Sequence, residues 1–198
     1  MKIKTIVAAI ALSSLSATAF ANVLSTNLNY NVSGRSGMYF DLTAKTNIVL
    51  QSFDVLGVAS SWDVYFKTGT YAGSETNKSA WTKVGAAALS NSGNLNIDDL
   101  ILNAGQTIGL YIYANNGTQY YRDGKTTFAD SNLVFTGGTG NFGAFSNTLA
   151  DRVLSGSVNY KLGTPAATTN VPEPASLALL GLGLGIAGLT GARRRGGK

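Results

Sequence analysis

The 198-residue chain contains neither cysteine nor histidine, which excludes disulfides, thiol catalysis, Ser-His-Asp triads and cysteine- or histidine-based metal sites. Its formal charge of +5 comes from its two ends, because residues 22–174 carry nine Lys and Arg against ten Asp and Glu. A nearly neutral central region argues against nucleic-acid binding, although the whole sequence is basic.

The first 21 residues are predicted to be a secretory signal peptide. Two lysines precede an apolar run at residues 5–15, and Ala19 and Ala21 form a small-residue cleavage motif. Cleavage after this motif would make Asn22 the mature N-terminus. The Sec export machinery is therefore an expected partner.

Short runs of β-branched and aromatic residues, separated by Gly, Asn, Ser and Asp, fill the region that follows, and helical periodicity is nowhere sustained. The predicted strands are residues 23–32, 37–43, 47–55, 62–68, 81–88, 106–114, 118–122, 132–136 and 152–162. About nine strands at this spacing predict an all-β domain at residues 22–162, a single antiparallel β-sandwich of jelly-roll or immunoglobulin-like type.

Two strand predictions are more detailed. Residues 152–162 alternate with a period of two, which places Leu154, Gly156, Val158, Tyr160 and Leu162 on one buried face. Ile108, Leu110 and Ile112 alternate with Thr, Gly, Tyr and Tyr at 107, 109, 111 and 113, which indicates a strand covered on both sides or one with an aromatic outer face. An Asn-Asn-Gly motif at 115–117 then predicts a type I′ hairpin to residues 118–122. The glycine-rich segment 137–140 is interpreted as a flexible loop.

Aromatic residues are numerous in the central region, and two of their arrangements suggest different roles. Trp62 and Trp81 are expected in the core. In the adjacent pair Tyr120 and Tyr121, strand alternation must turn one ring outward, where it could stack on a sugar ring. A carbohydrate-binding module is therefore one open alternative.

Asp98 and Asp99 form the one adjacent carboxylate pair and are predicted to lie in a turn. Carboxylate oxygens suit Ca²⁺, so a calcium-dependent adhesion module is a further alternative, although the spacing matches neither an EF-hand nor a repeat-type calcium loop. No other cofactor is expected. A hydrolase that uses two carboxylates is the least favoured alternative, because most acidic residues fall in predicted turns or on solvated faces.

The C-terminal part begins with a polar linker at residues 163–170 and continues with a segment at 171–198 that has three parts. Pro172, Glu173 and Pro174 are predicted to be extended. The uncharged run 175–192 is about 27 Å long as a helix, enough for a minimal membrane span. The basic tail 193–198, with Arg193, Arg194 and Arg195, would keep the C-terminus in the cytoplasm and place the domain outside.

The order Val-Pro-Glu-Pro-Ala-Ser-Leu, a Leu/Gly/Ala-rich span and terminal arginines closely resembles the PEP-CTERM sorting signal of Gram-negative bacteria. The resemblance implies processing by exosortase near the Pro-Glu-Pro triplet. The protein would be transiently anchored in the inner membrane and then delivered to the cell surface or extracellular matrix. It also implies a non-catalytic structural or adhesive role in exopolysaccharide-associated biofilm or floc. The sandwich itself bears a weaker resemblance to modules of secreted bacterial surface proteins.

Overall fold

The computed structural model describes residues 21–26, 32–124 and 126–163, and this part of the chain is all-β. Two antiparallel sheets contain its fourteen strands, and its one helical element is a 3₁₀ turn at Lys78–Ala80. The all-β, sandwich-like fold expected from the sequence is confirmed. The predicted signal peptide, apart from Ala21, and the predicted membrane span lie outside the described residues.

The smaller sheet has four strands in the order β1-β14-β4-β8. Its strands are β1 (Ala21–Ser25), β14 (Gly156–Leu162), β4 (Ile48–Val55) and β8 (Gly93–Leu102). The larger sheet has ten strands, eight of them in the order β2-β10-β13-β12-β3-β9-β6-β7. These are β2 (Val32–Arg35), β10 (Thr118–Asp123), β13 (Thr148–Leu154), β12 (Leu133–Asn141), β3 (Gly37–Ala44), β9 (Thr107–Asn115), β6 (Ser61–Thr68) and β7 (Thr82–Ala87). Two short strands complete it: β11 (Thr127–Ala129) pairs with β12, and β5 (Gly57–Val58) pairs with β10.

The main core is formed by the alternate side chains that the strands of both sheets bury. Phe40 on β3 packs against Phe53 on β4 and Phe135 on β12, with ring centroids 5.9 and 4.6 Å apart. Trp62 belongs to the same core and is fully buried, as expected from the sequence. The described strands form one unit, since the chain divides into two units between Gly163 and Thr164, one residue after β14 ends.

The chain between β9 and β10 bends without reversing, so the predicted hairpin is wrong. Asn115 at the end of β9 pairs with Ser61 on β6, and Thr118 at the start of β10 pairs with Val58 on β5. β9 and β10 therefore pair in succession with one continuous segment, β5–β6, and not with each other. Both edges of β9 are already occupied by β3 and β6. Gly117 does not adopt a positive φ; instead, a Cβ there would collide with the carbonyl oxygen of Val58. The glycine permits a close approach and not a type I′ turn.

The predicted strand at residues 152–162 is two strands in different sheets. β13 ends at Leu154 in the larger sheet, and β14 begins at Gly156 in the smaller one. The alternation of apolar residues continues through the crossing because both strands contribute to the same core. Leu162, expected to be buried, is 53% exposed at the end of β14.

Two further segments expected to be turns or loops belong to strands. Asp98 and Asp99 lie within β8. The pairing of β8 with β4 shifts by two residues here, because residues 97–99 lie opposite the single residue Gln51, and this bulge interrupts the alternation of buried and exposed side chains. The glycine-rich segment 137–140 lies within β12, which pairs with β3 along its whole length. Gly138 lacks room for a side chain, since a Cβ would lie 2.8 Å from the ring of Tyr71.

Candidate functional site

The outer face of the larger sheet, turned away from the main core, carries seven aromatic side chains that we call the aromatic face. Its central strands β3, β6 and β9 are neighbours, and Tyr39, Tyr65 and Tyr111 lie in register across them. Two connections cover this row from outside, one at residues 69–81 and one at 142–147. The aromatic face consists of Tyr39, Tyr65, Tyr71, Trp81, Tyr111, Tyr113 and Phe145.

The centre of the aromatic face is closely packed. Tyr39 and Tyr111 are fully buried and stack with ring centroids 4.0 Å apart and an interplanar angle of 8°. Trp81 tilts against Tyr39 at 5.5 Å, and Phe145 lies 4.9 Å from Tyr111. This centre is therefore a second, smaller core on the outside of the sheet. Trp81 is buried as predicted, but here and not between the sheets.

Asn141 supplies the polar centre of this second core. It is 1% exposed, and its Nδ2 donates hydrogen bonds to the hydroxyls of Tyr39 and Tyr111, 3.2 and 3.1 Å away. The hydroxyl of Tyr39 in turn donates to the carbonyl of Glu75. Burial is the main cause that raises the pKa of both tyrosines well above its ordinary value, so both stay neutral hydrogen-bonding groups.

The connection at residues 69–81 is fixed to the sheet by Asp41. One carboxylate oxygen of Asp41 accepts from the Thr70 hydroxyl at 2.7 Å, and the other accepts from the backbone N–H of Tyr71 at 2.9 Å. Gly109 on β9 allows this close approach, because a Cβ there would lie 2.6 Å from the Tyr71 nitrogen. The connection therefore holds Tyr71 and Trp81 against the sheet.

The rim of the aromatic face is the part that solvent reaches. Tyr65, Tyr113 and Phe145 are half-buried, and Tyr65 meets Phe145 edge-on at 5.2 Å. Beside them the Lys83 ammonium forms an ion pair with Asp63 at 2.7 Å, and the Tyr65 hydroxyl lies 3.4 Å from the same carboxylate. Rings with polar groups at their edge are suited to stacking on sugar rings and hydrogen-bonding their hydroxyls.

The outer face of the smaller sheet is polar and centres on Asp54. Burial alone would raise the pKa of the Asp54 carboxyl, but hydrogen bonds donated by Ser157, Asn94 and Asn159 outweigh it and hold the pKa below its ordinary value. These bonds are 2.6 to 3.0 Å long and join three strands. Asp54 is thus a charged group that ties β4 to both of its neighbours.

Strand alternation separates Tyr120 from Tyr121 on β10. Tyr121 is 3% exposed, whereas Tyr120 is half-buried on the opposite face. Of the two predicted stacking residues, Tyr120 is therefore the one whose ring solvent reaches.

The predicted calcium ligands Asp98 and Asp99 are both exposed on β8, and Asp99 forms an ion pair with Lys161 at 3.1 Å. In the described part of the chain, no three acidic residues come close enough together to hold a metal ion.

The residues predicted to direct sorting lie mostly outside the described residues: Ala19, Pro172, Glu173, Pro174, Arg193, Arg194 and Arg195. Ala21 and Asn22, on either side of the predicted signal-peptide cleavage, begin β1 opposite Lys161 and Tyr160. Across the described ranges, no helix is long and apolar enough to span a membrane.

Together, the described residues define an all-β module of two packed sheets with a half-exposed aromatic rim. Residues 170–195 match the family model of the PEP-CTERM protein-sorting motif, so the chain carries this motif. The match confirms the resemblance found in the sequence. It supports an exported protein that is targeted to exosortase and processed while anchored in the membrane.

Other comparisons concern the whole chain. No curated protein matches it. The crystal structure of the VP2 subviral particle of infectious bursal disease virus is similar over 90% of this chain and 53% of that chain, with 13% identity and a TM-score of 0.24. The structure of the Gx strain of the same virus gives 11% identity, 93% and 53% coverage and a TM-score of 0.25. The chain thus spans about half the length of the solved chains it matches.

Proposed function

We propose that this protein is an exported β-sandwich that exosortase processes at the inner membrane. It is then delivered to the cell surface or extracellular matrix, where it has a non-catalytic structural or adhesive role in an exopolysaccharide-associated biofilm or floc. The sorting motif at residues 170–195 carries the proposal. The signal peptide predicted at residues 1–21 supports it, because a chain with both signals would enter the membrane through Sec and await processing there. The absence of histidine favours a non-catalytic role, since the commonest general base is missing.

Exosortase should determine both the mass and the location of the mature protein. We expect the extracellular form to begin at Asn22 and to end near Pro172 to Pro174 in cells with a functional exosortase. In cells without it, the chain should retain residues 175–198 and remain in the membrane fraction. Intact mass spectrometry of fractionated cells measures both properties.

The matched control for this experiment is a chain in which Pro172 and Pro174 are both replaced by alanine in exosortase-positive cells. Loss of processing in this variant would assign the effect to the triplet itself. A chain that keeps residues 175–198 in both strains would contradict the proposal and indicate a plain membrane anchor.

A second candidate function, glycan binding, is favoured by the half-exposed rim of the aromatic face. Replacing Tyr113 by alanine should weaken binding of a matrix oligosaccharide about fivefold, because it removes a ring that could stack on a sugar. Glycan arrays followed by calorimetry measure this. Tyr120→Ala is the matched control on the same sheet; a loss confined to Tyr120→Ala would place the binding surface on β10 instead.

A further inference from the structure

A second site lies where β2, β10, β12 and β13 meet at one corner of the larger sheet. We call it the arginine corner and define it by Arg35, Tyr121, Phe142 and Arg152. Arg35 is only 8% exposed, and its Nε has no hydrogen-bond partner among the described residues. None of the ion pairs formed by the described residues involves it.

The Arg35 guanidinium has no carboxylate partner in the part of the chain that the structure describes. A guanidinium does not lose its proton in a protein, so its burial requires an opposite charge or a compensating environment. The segment 27–31, which precedes β2, contains no acidic residue that could provide one. The rings of Tyr121 and Phe142 contact the Arg35 guanidinium, but cation–π contacts leave its charge unneutralised.

Arg152 brings a second positive charge to the same corner. A Cβ on Gly140 would meet the Cγ atoms of Arg35 and Arg152 at 3.2 and 3.4 Å, so both side chains cross this glycine. The Arg152 guanidinium donates to the carbonyls of Ala150 and Asp151, which fixes its position. Its acidic partner Asp123 is half-exposed and 3.1 Å away. Within the described ranges, Asp123 is thus the one carboxylate that pairs with either arginine, and it pairs with Arg152 and not with Arg35.

Gln119 adds a buried donor beside Arg35. The two residues pair directly across β10 and β2, which places their side chains next to each other on one face. Gln119 is fully buried, and neither atom of its side-chain amide has a hydrogen-bond partner among the described residues. Considering the described residues alone, the corner thus contains a cation without an ion-pair partner beside an amide without a hydrogen-bond partner.

An apolar surface borders these charges. Phe142 is 64% exposed, and the Arg35 Cζ lies 3.8 Å from its ring centroid, so one face of the ring rests on the guanidinium. The other face is open to solvent. Leu149 is 45% exposed and pairs with Gly140 across β12 and β13. Gly140 is the residue that the side chains of Arg35 and Arg152 both cross.

We propose that the arginine corner binds an acidic polysaccharide, with a uronate carboxylate on Arg35 and Arg152 and the sugar ring on Phe142. Guanidinium groups bind carboxylates through paired, charge-assisted hydrogen bonds. An exposed aromatic ring beside charged groups is suited to stacking on a sugar ring. The choice of a polysaccharide as the source of the carboxylate rests on the extracellular role proposed above.

The test is calorimetric titration of the purified full-length protein with a galacturonic acid trisaccharide. Its methyl ester is the matched ligand, since it keeps the sugar rings and loses the charge. We expect saturable binding of the acid and at least tenfold weaker binding of the ester. Arg35→Met should weaken binding of the acid at least tenfold. Phe142→Ala should weaken binding of the acid about fivefold. Because Phe142 is exposed, this variant should fold normally, and it tests the proposal even if Arg35→Met fails to fold.

Arg122→Met is the control variant, because Arg122 is exposed on the same strand as Tyr121 and its loss removes the same charge. It should bind the acid within twofold of the unmodified protein. Three results would each overturn the proposal. Arg122→Met and Arg35→Met could weaken binding of the acid equally, the acid and its ester could bind equally well, or sodium sulfate could displace the acid as effectively as free trisaccharide does. Tighter, Arg35-dependent binding to phosphatidylglycerol vesicles would also overturn it. None of these results depends on exosortase, so failure here is distinct from failure of the sorting proposal.

Discussion

Replacing Gly156 by alanine is expected to lower the free energy of unfolding by about 3 kcal/mol, one of the two largest effects we predict for a single substitution. A Cβ at this position would collide with the backbone carbonyl oxygen of Asp54 on β4. Because Gly156 is the first residue of β14 after the crossing between sheets, the collision cannot be relieved without moving β4 or the crossing. Thermal unfolding should show a decrease in Tm of about 10 °C.

Ser155→Ala is the matched control for Gly156→Ala, at the residue that precedes it in the crossing. The Ser155 hydroxyl is buried and has no hydrogen-bond partner among the described residues, so its removal should change the stability by less than about 0.5 kcal/mol. A Gly156→Ala variant as stable as the Ser155→Ala variant would show that β14 and β4 do not approach each other at Gly156 as described.

Strand alternation predicted the fold class well, because a half-buried strand must present apolar residues with a period of two whatever its partners are. For the same reason it could not locate the crossing at Ser155. Leu154 and Val158 face one common core from two different sheets, and a continuous alternation is the result. The period identifies the face of a residue and not the sheet that contains it.

Glycine was the main source of wrong predictions. A glycine-rich segment usually predicts a loop, but here Gly137 and Gly138 lie in β12 where side chains from other elements leave no room for a Cβ. Gly117 likewise reflects a close approach to β5. These approaches join residues distant in sequence, so local patterns cannot distinguish them from turns.

The aromatic face was predicted only in part. The Tyr residues of β9 indicated an aromatic outer face, because they alternate with Ile and Leu. The contributions of Asn141 and Phe145 could not be predicted, since the segment Gly-Asn-Phe-Gly-Ala-Phe-Ser at 140–146 shows neither strand nor helix periodicity. The arginine corner was not predicted either. Arg35 and Arg152 are far apart in the sequence, and only the pairing of β2 with β10 and of β10 with β13 brings them together.

Asn141→Leu should destabilise the protein by about 2 to 3 kcal/mol, because the substitution breaks a buried hydrogen-bond network and keeps a side chain of similar size. The Tyr111 hydroxyl would lose both of its bonds to Asn141. The Tyr39 hydroxyl would keep its bond to the Glu75 carbonyl at 2.7 Å, so the cost should arise mainly at Tyr111. Urea unfolding measures the change, and near-ultraviolet circular dichroism should report the loosened aromatic packing.

A second substitution separates the hydrogen bond from the packing. Tyr111→Phe removes the hydroxyl that has lost its two bonds to Asn141, so adding it to Asn141→Leu should recover about 1 kcal/mol, even though Tyr111→Phe alone is destabilising. Asn147→Leu, at an exposed position of the same hairpin, should change stability by less than about 0.5 kcal/mol. If the two substitutions at Asn141 and Tyr111 simply add, their side chains do not form the bond described, and the second core depends on ring packing alone. Recovery in the double variant would instead establish Asn141 as the residue that orients the stacked tyrosines beneath the half-exposed rim.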